Sequence, residues 1–217
     1  MTNNTNTGIL AETNSYPTLT DSMYLRFYSD ILDFRRIFDL PCEQKILSYK
    51  DEQLHAELLK EELIELATAK TRADKIDAIT DSIYVLVGDL VHSGIVYLED
   101  LQTTRPDVYN LLNTLVLMAQ HLQFNILDAW FLVHKSNLSK VVTKEYYEQT
   151  LQQYEKLGVS INLDPLDKKL QTQLYGDDCS VWICSSAKHT VCASGKIYPK
   201  GKILKSAGYT PVDLTQL

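Results

Sequence analysis

Two short acidic segments hold the residues best suited to chemistry. Glu61, Glu62 and Glu65 stand in EELIE, and Asp77 and Asp81 in DAITD. Helix residues three and four apart share a face. Glu62 and Glu65 therefore point together, as do Glu61 and Glu65, and likewise Asp77 and Asp81. The connection ATAKTRAD is short, which makes the two helices antiparallel neighbours. Carboxylates gathered in this way repel one another and resist joint ionisation. They call for a cation, and oxygen-only ligands select a hard divalent ion, Mg²⁺ above all where a substrate brings its own phosphates. The same text also fits a solvated helix face laced with i,i+4 pairs. Asp81 tips the balance: it sits in the apolar run ITDSIYVLVG, and buried acids are rare unless paired or metal-bound.

The elements that must position these groups follow from periodicity and breakers. Met23, Phe27, Ile31, Phe34 and Phe38 predict a helix over 21–39, ending before Pro41. A second covers 49–70, with Leu54, Leu58, Leu59, Leu63 and Leu66 on its apolar side. A third runs from Ala73 towards Gly94. Arg105-Pro106 breaks the chain, and a largely apolar, hence central, helix follows over 107–134. A fifth over 143–157 ends at Gly158 as its C-terminal cap. Beyond it the text turns to Gly, Pro, Ser, Cys and β-branched residues. SVWICSS (180–186) and HTVCAS (189–194) read as the arms of a hairpin. The expected fold is mainly α, a helical bundle with a small C-terminal β-hairpin appendage. Its parts are a disordered tail over 1–20, a helical catalytic core over 21–157, and a segment over 158–217 packed on the core or on a partner subunit.

With those motifs in place, the sequence resembles the all-α nucleoside triphosphate pyrophosphohydrolases, especially the MazG-like and phosphoribosyl-ATP-pyrophosphohydrolase-like members of phages and bacteria. Five segments carry the resemblance in order: DFRRIFDLP (33–41), KEELIELATA (60–69), DAITDSIYVLVG (77–88), VHKSNLSK (133–140) and GKILKSAGYTPVDL (201–214). It implies helix bundles that associate as homodimers or homotetramers. It also implies Mg²⁺-dependent cleavage between the α- and β-phosphates of a nucleotide, with Mn²⁺ as a possible substitute, yielding a monophosphate and pyrophosphate. Matched by position, Glu62, Glu65 and Asp81 are metal ligands, and Glu61 or Glu62 orients or deprotonates the attacking water. The family pattern Glu-x-x-Asp is broken here, because Ala78 stands three residues before Asp81. Asp77, at i−4, faces the same side and is the nearest replacement. Lys140, Lys202 and Lys205 are candidates for the phosphates, Asn137 for sugar or base, and Tyr209 for stacking on a base. Taken singly, the lysines also fit plain solvation, Asn137 a turn, and Tyr209 packing of the tail.

Composition narrows the alternatives. The 217-residue chain has a formal net charge of −7. A protein whose main task is gripping nucleic acid needs an excess of Lys and Arg. No apolar run reaches the roughly 20 residues of a membrane span, and the first residues lack a secretory pattern. Four cysteines fit a reducing cytoplasm. Cys179, Cys184, His189 and Cys192 are possible Zn²⁺ ligands, but they lack the tight C-x₂-C knuckle of common sites. The histidines at 55, 92, 121 and 134 have no nucleophile motif beside them. The leading expectation is pyrophosphate release from nucleoside triphosphates for pool control. A pyrophosphohydrolase of another phosphorylated nucleotide and a non-catalytic nucleotide-binding helical module are the alternatives.

Overall fold

Helix α1 (Asp21–Ile37) opens where Thr20 accepts a hydrogen bond from the Met23 backbone N–H, which satisfies one of the free donors of a first turn. The computed structural model describes residues 19–44 and 46–217. The expected tail falls outside them except for Leu19, which is buried, and Thr20, the helix cap. These two residues thus belong to the helical body. Helices α2 (Tyr49–Thr68) and α3 (Arg72–Ser93) each begin with a reciprocal capping box, Ser48 with Asp51 and Thr71 with Asp74. Gly94 closes α3 in the left-handed region at φ 74°. A side chain there would be strained and would press on the Glu43 backbone at 3.3 Å.

Helix α3 is the axis of the molecule. Ile76, Ile79, Ile83, Val87, Leu90 and Val91 have 0% exposure, and the helix packs against α1, α2, α5 (Pro106–His121) and α6 (Ile126–Leu138). Arg35 locks the exit of α1 onto α3. Its Nε donates to the Pro41 carbonyl at 2.7 Å and its Nη1 to the Gly88 carbonyl at 3.2 Å. A short α4 (Leu98–Thr104) precedes Pro106, which takes the first turn of α5. No single helix among the described residues is long and apolar enough to cross a membrane.

Two sequence expectations change. The helix expected over 107–134 is two helices, because Gln123 adopts φ 57° and Asn125 caps a new start by accepting from the Leu127 N–H. The expected pairing of 180–186 with 189–194 does not form. Strand β3 (Val181–Ser186) lies between β1 (Val142–Thr143) and β2 (Ile161–Pro165), antiparallel to both. With both edges of β3 taken, β4 (Thr190–Val191) makes its hairpin with β5 (Ile197–Tyr198) instead. A 3₁₀ turn over Lys144–Tyr146 leads into α7 (Tyr147–Lys156), and α8 (Lys168–Tyr175) is inserted after β2. The fold is mainly α with a small antiparallel β appendage. Leu166, Val181, Ile183 and Leu214 of the appendage join the main core. Val142, Tyr154, Val159, Cys184, Cys192, Tyr198 and Leu204 form a second, smaller one.

Candidate active site

One cavity of about 260 Å³ gathers the chemistry. Glu61, Glu62 and Glu65 enter from α2, Asp77 and Asp81 from α3, and Asn137 and Lys140 from the end of α6 and just beyond it. Lys202, Lys205 and Tyr209 enter from the C-terminal segment. All ten residues singled out in the sequence therefore line the same space. Ala78 is buried instead, and Asp77 supplies the cavity's carboxylate at that turn of α3.

The electrostatics follow from crowding. Glu62 is pushed up to about 8, first by burial and then by repulsion from Asp81, Glu65 and Glu61, which outweighs the pull of Lys202. Asp81 rises to about 6 through burial and the charge of Asp77, against the attraction of Lys140 and Lys205. Burial also raises Asp77. Lys140 is driven down to about 8 by burial, although Asp81 beside it favours its charged form. The lysines therefore offset the carboxylates only in part, and the cavity favours an added positive charge or a proton.

Glu61 stands apart from its neighbours. Lys202 Nζ donates directly to its Oε2, and Lys196 Nζ lies 3.7 Å from its Oε1. Lys196 also lines the cavity and was not singled out from the sequence. It follows Gly195 in an exposed turn and belongs to no recognisable spacing, so only tertiary structure reveals it.

The C-terminal segment is stitched in place. Ser136 Oγ lies 2.8 Å from both the Tyr209 hydroxyl and the Thr210 carbonyl oxygen. A carbonyl only accepts, so Ser136 donates to it and the Tyr209 hydroxyl donates to Ser136. Tyr154 donates to the Lys205 carbonyl at 2.8 Å, and the Thr210 N–H donates to Ser139 Oγ at 2.9 Å. Gly208 approaches the Tyr146 ring so closely that a Cβ would sit 2.4 Å from Cδ2. Lys205 lies 4.5 Å from the centre of the Tyr209 ring, a cation–π distance. Tyr209 thus has one ring face and its hydroxyl engaged within the protein.

As a cation site, the donor set is all oxygen, and its crowded, mostly half-buried carboxylates lack sufficient counter-charge. This chemistry fits a hard divalent ion. Among the described residues, no three His, Cys, Asp or Glu side chains are grouped closely enough to hold a metal as they stand. The possible zinc ligands do not converge either. Cys184 is sealed in the small core, Cys179 is exposed, and His189 faces Glu57 at 3.8 Å.

The site is thus a helical bundle with paired acids on adjacent helices, faced by lysines across one cavity. Residues 32–104 match the family model of phosphoribosyl-ATP pyrophosphohydrolase, which bears out the resemblance to the MazG-like and phosphoribosyl-ATP-pyrophosphohydrolase-like superfamily. The matched span contains all five carboxylates and ends before Asn137 and the lysines. It points to a pyrophosphohydrolase acting on a nucleotide-like substrate. No curated protein and no solved structure matches the chain.

Proposed function

We propose that this protein is a Mg²⁺-dependent nucleoside triphosphate pyrophosphohydrolase. It would cleave the α–β anhydride of a ribo- or deoxynucleoside triphosphate to a monophosphate and pyrophosphate, in control of nucleotide pools. One observation carries the reading: five carboxylates from α2 and α3 share a cavity with Lys140, Lys196, Lys202 and Lys205. Glu62, Glu65, Asp77 and Asp81 would hold Mg²⁺, or Mn²⁺ in its place, which when bound supplies neutralising charge to the polyphosphate. Lys140, Lys202 and Lys205 bind phosphate oxygens as point charges. Of the two acids expected to activate water, Glu61 is held by Lys202 and Lys196, which leaves Glu62, with no lysine among the described residues hydrogen-bonded to it, to orient the water. Glu61 then positions the lysines. As in the resembled family, the protein would work as a homodimer or homotetramer in the cytoplasm.

A second reading is favoured by the matched family's own description: a phosphoribosylated nucleotide as substrate. A panel of ribo- and deoxynucleoside triphosphates plus phosphoribosyl-ATP, incubated with Mg²⁺ and resolved by chromatography, separates the two. Monophosphate with pyrophosphate, lost on chelation, is the expected result. Orthophosphate release, or no turnover of any compound, overturns the assignment.

A further inference from the structure

A second, largely apolar cavity of about 180 Å³ continues from the acidic one. The two share Glu62, Asp81, Asn137, Lys140, Lys202 and Ile203 along their common wall. Phe34 and Tyr84 line it with aromatic surface, their rings 5.5 Å apart and edge to face. A ligand whose phosphates lie among the lysines has this cavity available for its remaining part. Apolar, aromatic walls suit a flat heterocycle.

The polar groups along this wall are mostly engaged by the protein. Arg35 binds the Pro41 and Gly88 carbonyls, and Asp51 accepts from Ser48. His55 and His92 are joined, His55 Nε2 to His92 Nδ1, at 3.0 Å, and His92 Nε2 lies 3.3 Å from Gln44 Oε1. An amide oxygen only accepts, so His92 Nε2 carries hydrogen. Burial lowers both imidazoles, His55 to about 4, and keeps them neutral near pH 7. Neutral His92 then has a bare Nδ1, which must accept from His55 Nε2–H. The hydrogen of neutral His55 is thereby fixed on Nε2, and its Nδ1 is left as an acceptor. That atom has no hydrogen-bond partner among the described residues and is not sealed in the core; His55 stands between this cavity and a neighbouring one lined by Asp89 and Arg105. Gln44 is itself pinned, its N–H donating to the His92 carbonyl at 2.7 Å.

We propose that His55 determines specificity in the apolar cavity, its bare Nδ1 accepting an N–H from the edge of a nucleobase seated between α1, α2 and α3. His92 and Gln44 are positioning residues that set the tautomer. The inference rests on the pyrophosphohydrolase reading and names how that site would read its substrate.

The test has two arms. The first compares the best triphosphate of the panel with its counterpart in which every base N–H is replaced by N–CH₃. Wild-type kcat/KM should fall roughly 10- to 100-fold on methylation, the range for an unmet buried hydrogen bond. In His55→Phe the two compounds should differ by no more than about twofold, since the acceptor is gone. Gln44→Leu, an exposed change that spares the helices, should weaken the discrimination with the fold intact. The second arm is a long-range ¹⁵N–¹H spectrum of the histidine-labelled protein. It should show hydrogen on His55 Nε2 and a bare Nδ1 whose resonance moves when the triphosphate is added. Equal turnover of both compounds by wild type, or a hydrogen on Nδ1, overturns the inference and leaves the pyrophosphohydrolase reading standing. Absence of all turnover fells that reading, and the inference with it.

Discussion

Glu62 is the residue on which the cavity's charge balance turns. Its folded affinity for a proton lies above the ordinary value of 4.5, at about 8. The folded chain therefore keeps a proton that the unfolded chain releases across that interval. The stabilisation is complete below pH 4.5 and is lost as the pH rises through 8. His55 works in the opposite sense. Lowered from 6.5 to about 4, it contributes above 6.5 and fails as the pH falls towards 4. Between pH 6.5 and 8 the Glu62 effect is therefore cleanest. The chelator-treated protein should melt at lower temperature across that span. Glu62→Gln should flatten the slope and add about 1–2 kcal/mol at pH 8, a figure discounted for water entering the cavity. Calorimetry at matched ionic strength checks both. Asp81→Asn and Glu65→Gln should abolish pyrophosphate release while the helical circular dichroism stays unchanged. Wild-type-like turnover by either variant would remove the assignment of that carboxylate. At this scale the sequence was informative: helical spacing placed both acidic pairs, and Asp77 lines the cavity despite Ala78 breaking the family pattern.

Among the elements, the C-terminal segment is the one whose role depends most on a single close approach. Gly208 lies against Tyr146 where a methyl group would overlap the ring. Gly208→Ala should cost about 1–3 kcal/mol by overpacking. It should also loosen Lys202 and Lys205, raising KM several-fold while kcat changes little, because in the proposed function these lysines bind phosphates rather than carry the chemistry. Steady-state pyrophosphate assays beside a thermal melt would show the two effects together. The starts of α2 and α3 were legible from apolar periodicity, and the structure adds a local cause at each, the capping boxes of Ser48 with Asp51 and Thr71 with Asp74. The break between α5 and α6 was not, because Gln123 takes a positive φ with no Gly or Pro beside it. Only the Asn125 cap marks it. Strand pairing was hidden for a different reason: β3 finds β1 and β2 across long separations, and a periodic pattern names no partner.

For the molecule as a whole, α2 is notable for lacking any fully buried residue. It packs mainly on α3, and Ile64 is 52% exposed. This half-covered helix is consistent with the proposed homo-oligomer. Sedimentation equilibrium at micromolar concentration should give a dimer or tetramer, and a monomer throughout the range would refute that part of the proposal. The apolar cavity was invisible in the sequence, since Phe34, Tyr84, His55 and His92 each read as ordinary helix residues until the bundle closes. Lys202 and Glu61, which meet in the folded protein, lie 141 residues apart. At a synthesis rate of roughly 5–20 residues per second, the α2–α3 hairpin leaves the ribosome on the order of ten seconds before Lys202 is even joined to the chain. For that time the hairpin's carboxylates lack both their lysines and the walls that later enclose them, so water alone solvates them and their crowding is felt only when the last segment closes the cavity.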